Sequence, residues 1–257
     1  MGRGMTSEFG SLRTALVTGG ARRIGAALCR ALAEDGWHVA IHCNRSVEEG
    51  QALAAELGNA TVVTADLADP DCAARIFGQL DALPPLGLLV NNASRFVLDQ
   101  FDDFDAGGWD RHFAINVRAP TLLMQAFAQR VGTGQGGLVV NLLDAKLAFP
   151  NPDFFSYTVS KAGLAAVGEL GARVLAERGI RVCGIAPSIT MVSGPQTRDN
   201  FEKVHAHNPL GRGVAVAEIV AALRFAVATP TLTGETIYLD GGQRFWGLRR
   251  DVQFLEE

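Results

Sequence analysis

The stretch LRTALVTGGARRIG, residues 12–25, decides the reading of the fold. An apolar run at 12–18 ends in a glycine-rich turn and passes into a helical pattern at 24–35. A strand feeding a helix in this way points unpaired N–H groups, and the positive end of the helix dipole, at any anion in the turn. The glycines let the backbone approach a pyrophosphate closely. The spacing departs from G-x-G-x-x-G, so taken alone the turn is equally an ordinary strand–helix junction with surface arginines.

Working outward, strand and helix patterns alternate along the whole chain. Strands are expected at 37–42, 60–65, 86–91, 137–143, 180–186 and 236–239. Helices are expected at 47–57, 69–80, 108–131, 152–177 and 216–228, with Pro70 in a first turn and Pro120 kinking the helix at 108–131. Residues 188–213 are read as irregular. Such alternation implies a parallel, doubly wound α/β sheet in one domain, 12–257, preceded by a disordered tail at 1–11.

The chain has 257 residues, 48% of them hydrophobic and 19% charged, enough for a packed core. Net charge is −4, with an isoelectric point near 5.8, which provides no basic footprint for nucleic acid. Mean hydropathy is +0.15, but no apolar run is long enough to span a bilayer. Cys29, Cys43, Cys72 and Cys183 are scattered without a C-x-x-C pair and read as reduced thiols of a cytoplasmic protein. His205 and His207 lack the companions a zinc site needs, so no metal is expected.

The second strand runs into IHCNRS, residues 41–46. An NAD site would place a carboxylate here for the ribose 2′-hydroxyl, and none occurs before Glu48. Arg45 and Ser46 instead suit a 2′-phosphate, with His42 close by, which points to NADP(H). Asp66, after the third strand, is either a partner for the adenine amino group or a helix cap. In YTVSK, Tyr157 and Lys161 stand four apart and share a helix face. An ammonium near a phenol favours the phenolate and lowers its pKa, making tyrosine a usable proton donor. Asn116 is placed to hold a water that feeds protons toward the lysine, or else to satisfy a helix kink.

TGGARRIG, NNAS at 91–94, Asn116, YTVSK and DGG at 240–242 occur in an order and spacing that resemble the short-chain dehydrogenase/reductase family. The resemblance covers residues 12–242 and implies a single-domain Rossmann fold with a seven-stranded parallel sheet. It also implies a bound nicotinamide cofactor and a homotetramer built on the two long helices. Arg23 stands where the family usually has glycine. Asp144, thirteen residues before the tyrosine, replaces a serine that usually donates to a substrate carbonyl. An ionised carboxylate only accepts hydrogen bonds, so ketone reduction looks disfavoured and a substrate with ring nitrogens is favoured.

Those two departures, with the H-x-x-R-S segment at 42–46, resemble the pteridine reductase subgroup. That resemblance implies roles by position. Gly19, Arg23, Ile24 and Gly25 line the pyrophosphate turn, and Leu67, Asn92, Ala93 and Lys161 complete the cofactor site. Arg23, Ser94 and Phe96 contact a pterin-type small molecule, with the Phe96 ring sandwiching it against the nicotinamide. Asp144 and Tyr157 relay a proton to a ring nitrogen while NADPH delivers hydride to the adjacent carbon. The alternatives are a reductase of the same fold acting on another carbonyl or cyclic imine, and a dinucleotide-sensing protein without turnover. The presence of Asn116, Tyr157 and Lys161 together speaks against the last. Lys146, near Asp144, either contacts substrate or is solvated, the commoner state of a lone lysine. Phe154 and Phe155 face either pocket or core, and Trp246 and Arg249 either reach a neighbouring subunit or close the core.

Overall fold

The computed structural model describes residues 13–193 and 196–255, so the expected tail at 1–11 lies outside the described residues. Seven strands form one sheet: β1 Thr14–Val17, β2 His38–Cys43, β3 Ala60–Thr64, β4 Leu86–Asn91, β5 Gly137–Leu142, β6 Ile180–Pro187 and β7 Thr236–Leu239. Their order is β3-β2-β1-β4-β5-β6-β7, and every pairing is parallel. The central strands are buried along their whole length, as a sheet covered on both faces requires.

The helices are α1 Arg23–Glu34, α2 Val47–Leu57, α3 Cys72–Gly78, α4 Ala106–Phe113, α5 Ala119–Val131, α6 Phe155–Leu175, α7 Arg198–Val204 and α8 Val216–Ala228. One core cluster joins α1, α2 and α8 to one face of the sheet through Leu28, Leu53 and Ile219. A second joins α3, α5 and α6 to the other face through Ile76, Phe127 and Leu175. The strand order reverses between β1 and β4, and the crevice at the carboxyl ends of such strands is where ligands bind in open α/β sheets.

Three expected elements differ. The helix expected at 108–131 is two α-helices joined by a π-helical turn, Ala114–Arg118. Pro120 sits in the first turn of α5 and offers no N–H to the carbonyl four residues back; the wider turn absorbs that gap. The helix expected at 69–80 begins only at Cys72, because the Asp66 and Asp69 carboxylates take the Ala68 and Asp71 N–H groups and hold 66–71 as turns. Within the expected irregular stretch lies α7, where Thr197 accepts from Asn200 N–H and Arg198 pairs with Glu202. Only Val204 of α7 is buried, so the helix carries no apolar periodicity to read.

Candidate active site

The turn after β1 is bolted to the strand end beside it. The Thr18 hydroxyl oxygen accepts from the N–H groups of Asn92 and Ala93, both at 3.0 Å. Asn92 Nδ2 donates to the carbonyls of Thr18 and Gly19 at 2.8 and 3.2 Å. Gly19 has φ +61°, and a Cβ on Gly25 would lie 2.1 Å from the Gly19 carbonyl oxygen. No side chain fits there, so the backbone stays open to a phosphate.

His42 is buried beneath this turn rather than facing a 2′-phosphate, which corrects the expectation for it. Gly19 N–H donates to its Nδ1 at 3.3 Å, and its Nε2 lies 3.2 Å from the Ala65 carbonyl. Burial pushes its pKa down to about 4, so the ring is neutral, with Nε2 as donor. It holds the turn to the sheet. Arg45 is exposed and Ser46 half-buried at the β2 end, open to solvent as an anion contact requires. Asp66 Oδ1 accepts from Ala68 N–H at 2.9 Å in a local turn; the N-cap of α3 is Asp71, so Asp66 does not cap that helix. Leu67 is buried in the core, so its side chain is not part of the cofactor surface.

One cavity of about 480 Å³ collects Arg23, Ile24, Asn92, Ser94, Phe96, Asp144, Tyr157 and Lys161. Gly19, Gly25, His42, Arg45, Ser46, Asp66, Leu67, Ala93 and Asn116 do not line it. Arg23 adopts φ +54°, a conformation rare outside glycine, and its Nη2 donates to the Val192 carbonyl at 2.7 Å. The pyrophosphate turn is thereby tied to the loop after β6.

Asn116 does not face the cavity. Its Nδ2 donates to the Arg95 carbonyl and to Ser160 Oγ, both at 2.9 Å, and its Oδ1 accepts from Arg95 N–H and Ser94 Oγ. The amide is engaged by protein on every side and braces the 94–95 loop against α6. Asn116 lies in the π-helical turn, yet its amide bonds none of that turn's own backbone groups.

Tyr157 Oη donates to Asp144 Oδ2 at 2.8 Å, and Asp144 Oδ1 accepts from Lys146 N–H at 2.9 Å. Packing around the Asp144 carboxyl pushes its pKa up, against the opposing hydrogen bonds from Lys146 and Tyr157. Burial and the Asp144 charge hold the Tyr157 phenol well above its ordinary value. This corrects the expectation that Lys161 lowers it. Lys161 Nζ donates to the Leu142 carbonyl at 2.6 Å and stands 5.8 Å from the centre of the Tyr157 ring. Burial drags the Lys161 pKa down to about 8. Asp144 is likewise not confined to its ionised form: a carboxyl of raised pKa can carry the proton and donate it.

Phe96 stacks on Phe154 at 4.2 Å and meets Tyr157 edge-on at 4.7 Å. Phe154 is core, directly behind Phe96, whereas Phe155 joins a cluster with Phe101, Phe104 and Trp109. Lys146 is not solvated: its side chain is 9% exposed and sits on the cavity wall, 3.4 Å from Asp251. Trp246 is 47% exposed and meets His207 edge-on. His205 Nε2 lies 3.0 Å from the Val214 carbonyl, and among the described residues no three side chains converge as a metal site.

Lys146 takes the pocket-facing alternative, whereas sequence reasoning missed Arg244 and the segment 251–253 as cavity-lining residues. A signal existed: at 251–255, past DGG and QRFWGLRR, the chain reads DVQFL, an aspartate followed by apolar residues, the mark of a short capped turn that packs.

The profile of the short chain dehydrogenase family matches residues 13–203. The chain belongs to that family of oxidoreductases. Among solved structures, it is similar to the FolM alternative dihydrofolate reductase 1 of Brucella canis, complexed with NADP. The two share 41% identity over 93% of this chain and 96% of that one, with a TM-score of 0.88. It is 30% identical to pteridine reductase 1 of Leishmania tarentolae over 89% of this chain and 95% of that protein. It is also 32% identical to a sorbitol dehydrogenase of Cereibacter sphaeroides over 88% and 90% of the two chains. The pteridine reductase-like character expected from Arg23, Asp144 and the 42–46 segment is borne out. No helix among the described residues is long and apolar enough to cross a membrane.

Proposed function

We propose that this short chain dehydrogenase binds NADP(H) and reduces a pteridine of the dihydropterin or dihydrofolate type at a C=N bond. The observation that carries this reading is the Tyr157–Asp144 hydrogen bond inside the cavity. A family enzyme tuned for ketones needs a donor beside the tyrosine. Here the tyrosine's neighbour is a second acid, able to pass a proton to nitrogen or to accept an N–H.

The cofactor fits the residues present. The Gly19–Gly25 turn leaves room only for backbone, exposed Arg45 and half-buried Ser46 suit a 2′-phosphate, and Lys161 suits the nicotinamide ribose. When bound, the dinucleotide supplies the hydride. Phe96, backed by Phe154, presents a flat wall on which an aromatic heterocycle is oriented. Ser94 and Arg23 offer polar contacts at the edge of that ring. Tyr157 and Asp144 hold the proton destined for the ring nitrogen, and burial raises the pKa of both groups. The same reading makes the enzyme a cytoplasmic homotetramer joined through its long helices. Leu170 and Val174 of α6, 63% and 72% exposed, support such an apolar contact.

The test is spectrophotometric NADPH oxidation with dihydrobiopterin, dihydromonapterin and dihydrofolate beside a panel of ketones. Turnover of at least one pterin above the ketones is expected. Turnover of ketones alone would reject the reading.

A further inference from the structure

The cavity has a wall that belongs to the chain's C-terminal end. Asp251, Val252 and Gln253 line it, far in sequence from the rest of the site. What holds them there is an unusual buried acid. The Asp153 carboxylate accepts from Arg250 Nε through both oxygens, at 3.0 and 2.8 Å, from Asp251 N–H at 2.7 Å and from Gln100 Nε2 at 3.2 Å. The Lys146 ammonium donates to the Asp153 carbonyl and lies 3.4 Å from the Asp251 carboxylate. A fully buried carboxylate is tolerated only when so surrounded, and the partners tie Gln100 and the segment 250–251 to it, with Lys146 on the adjoining carbonyl.

The fastening continues as a ladder of rings. Phe154, next to Asp153, is held at φ +55°, a conformation a bulky residue adopts only under constraint. Its ring lies between Phe96 at 4.2 Å and Phe254 at 5.9 Å, with planes within 20° of parallel on both sides. The Arg250 guanidinium covers the Phe254 ring at 5.4 Å. The ring that forms the flat wall of the site is thus backed by one from the last residues of the chain.

We propose that residues 250–255 are a latched wall of the substrate pocket. The Asp153–Arg250 pair fastens them, and they position Phe96 through the Phe254–Phe154 stack. Arg250 and Phe254 are positioning residues that set substrate affinity without touching the cofactor. Only the kinetic half of the test rests on the pterin reading above.

Arg250→Gln and Phe254→Leu in the full chain test it, with dihydrobiopterin as substrate. The KM for dihydrobiopterin is expected to rise about tenfold, since small misplacements of a bound partner carry losses of that size or more. The NADPH dissociation constant, read by fluorescence, is expected to stay within about twofold, since neither residue faces the cofactor turn. Hydrogen exchange across 94–101 and 153–158 is expected to speed up in both variants. Asp153→Asn combined with Arg250→Gln should be no worse than the worse single variant, as for two halves of one contact. Unchanged exchange in both variants, or losses that add in the double variant, would overturn the latch. If the wild type does not turn over dihydrobiopterin, the pterin reading fails, and exchange alone still decides the latch.

Discussion

The Tyr157 hydroxyl donates to Asp144 Oδ2 at 2.8 Å, while the Lys161 ammonium donates elsewhere, to the Leu142 carbonyl. The phenol proton therefore faces a carboxyl partner. Both members of the pair hold protons more tightly than free side chains do, because burial penalises their charged forms. That makes them a proton store beside the Phe96 wall.

Tyr157→Phe removes the relay's hydroxyl and leaves the ring contact with Phe96. Turnover should fall by roughly a hundredfold or more, with NADPH affinity nearly intact. Steady-state rates beside a fluorescence titration check this. Unchanged turnover would take Tyr157 out of the chemistry.

Asp144→Ser exchanges an acid for a neutral donor. Pterin turnover is expected to drop about tenfold or more while ketone reduction improves, because a hydroxyl donates to a carbonyl oxygen. Rates on both substrate panels decide it, and parallel losses on both would sink the nitrogen-protonation argument.

Arg45→Ala removes the exposed cation at the end of β2. NADPH affinity should weaken by roughly tenfold to a hundredfold, the range for a hydrogen bond to a charged group, with little change for NADH. Equal losses for both dinucleotides would dismiss the 2′-phosphate assignment.

Gly25→Ala places a methyl 2.1 Å from the Gly19 carbonyl oxygen and 2.8 Å from Asn92 Nδ2. The turn must shift, at a cost of about 1–3 kcal/mol. Cofactor affinity should collapse with it. Calorimetric titration with NADPH and a thermal melt of the same variant test the two effects together.

Lys161 titrates near 8 when folded, against 10.5 for the ordinary side chain, because burial disfavours its charge. Below pH 8 both folded and unfolded chains carry the proton, and the folded state bears the full burial penalty. Between pH 8 and 10.5 the unfolded chain binds more protons, so this group's contribution to stability rises with pH. The span corresponds to roughly 3 kcal/mol. In urea titrations, Lys161→Met should be more stable than the wild type at pH 7, with the difference shrinking toward pH 10. A constant difference would contradict the shifted titration.

Much of the architecture was legible from neighbours close in sequence. The bounds of α8, β4 and β7 match their expected spans, because each has regular periodicity and clear flanking breakers. The π-helical turn at Ala114–Arg118 was not legible: proline marks a disturbed helix, but packing chooses how the disturbance is absorbed. Likewise Asn116 and His42 were legible as polar residues near the site. Whether each faces the ligand or the protein depends on which segments arrive opposite it.

The amino-acid order alone determined the alternation of strands and helices, the glycine turn that excludes side chains, and the placing of Tyr157 and Lys161 on one helix face. These rest on interactions within a few residues, where backbone geometry leaves little choice. The three-dimensional packing decided which protons are held and who closes the cavity. Lys146 meets Asp251 across 105 residues and Arg250 meets Asp153 across 97, and the burial that shifts Asp144, Tyr157 and Lys161 is a property of the assembled interior. Desolvation and long-range ion pairing arise only once distant segments share a core, which local sequence does not encode.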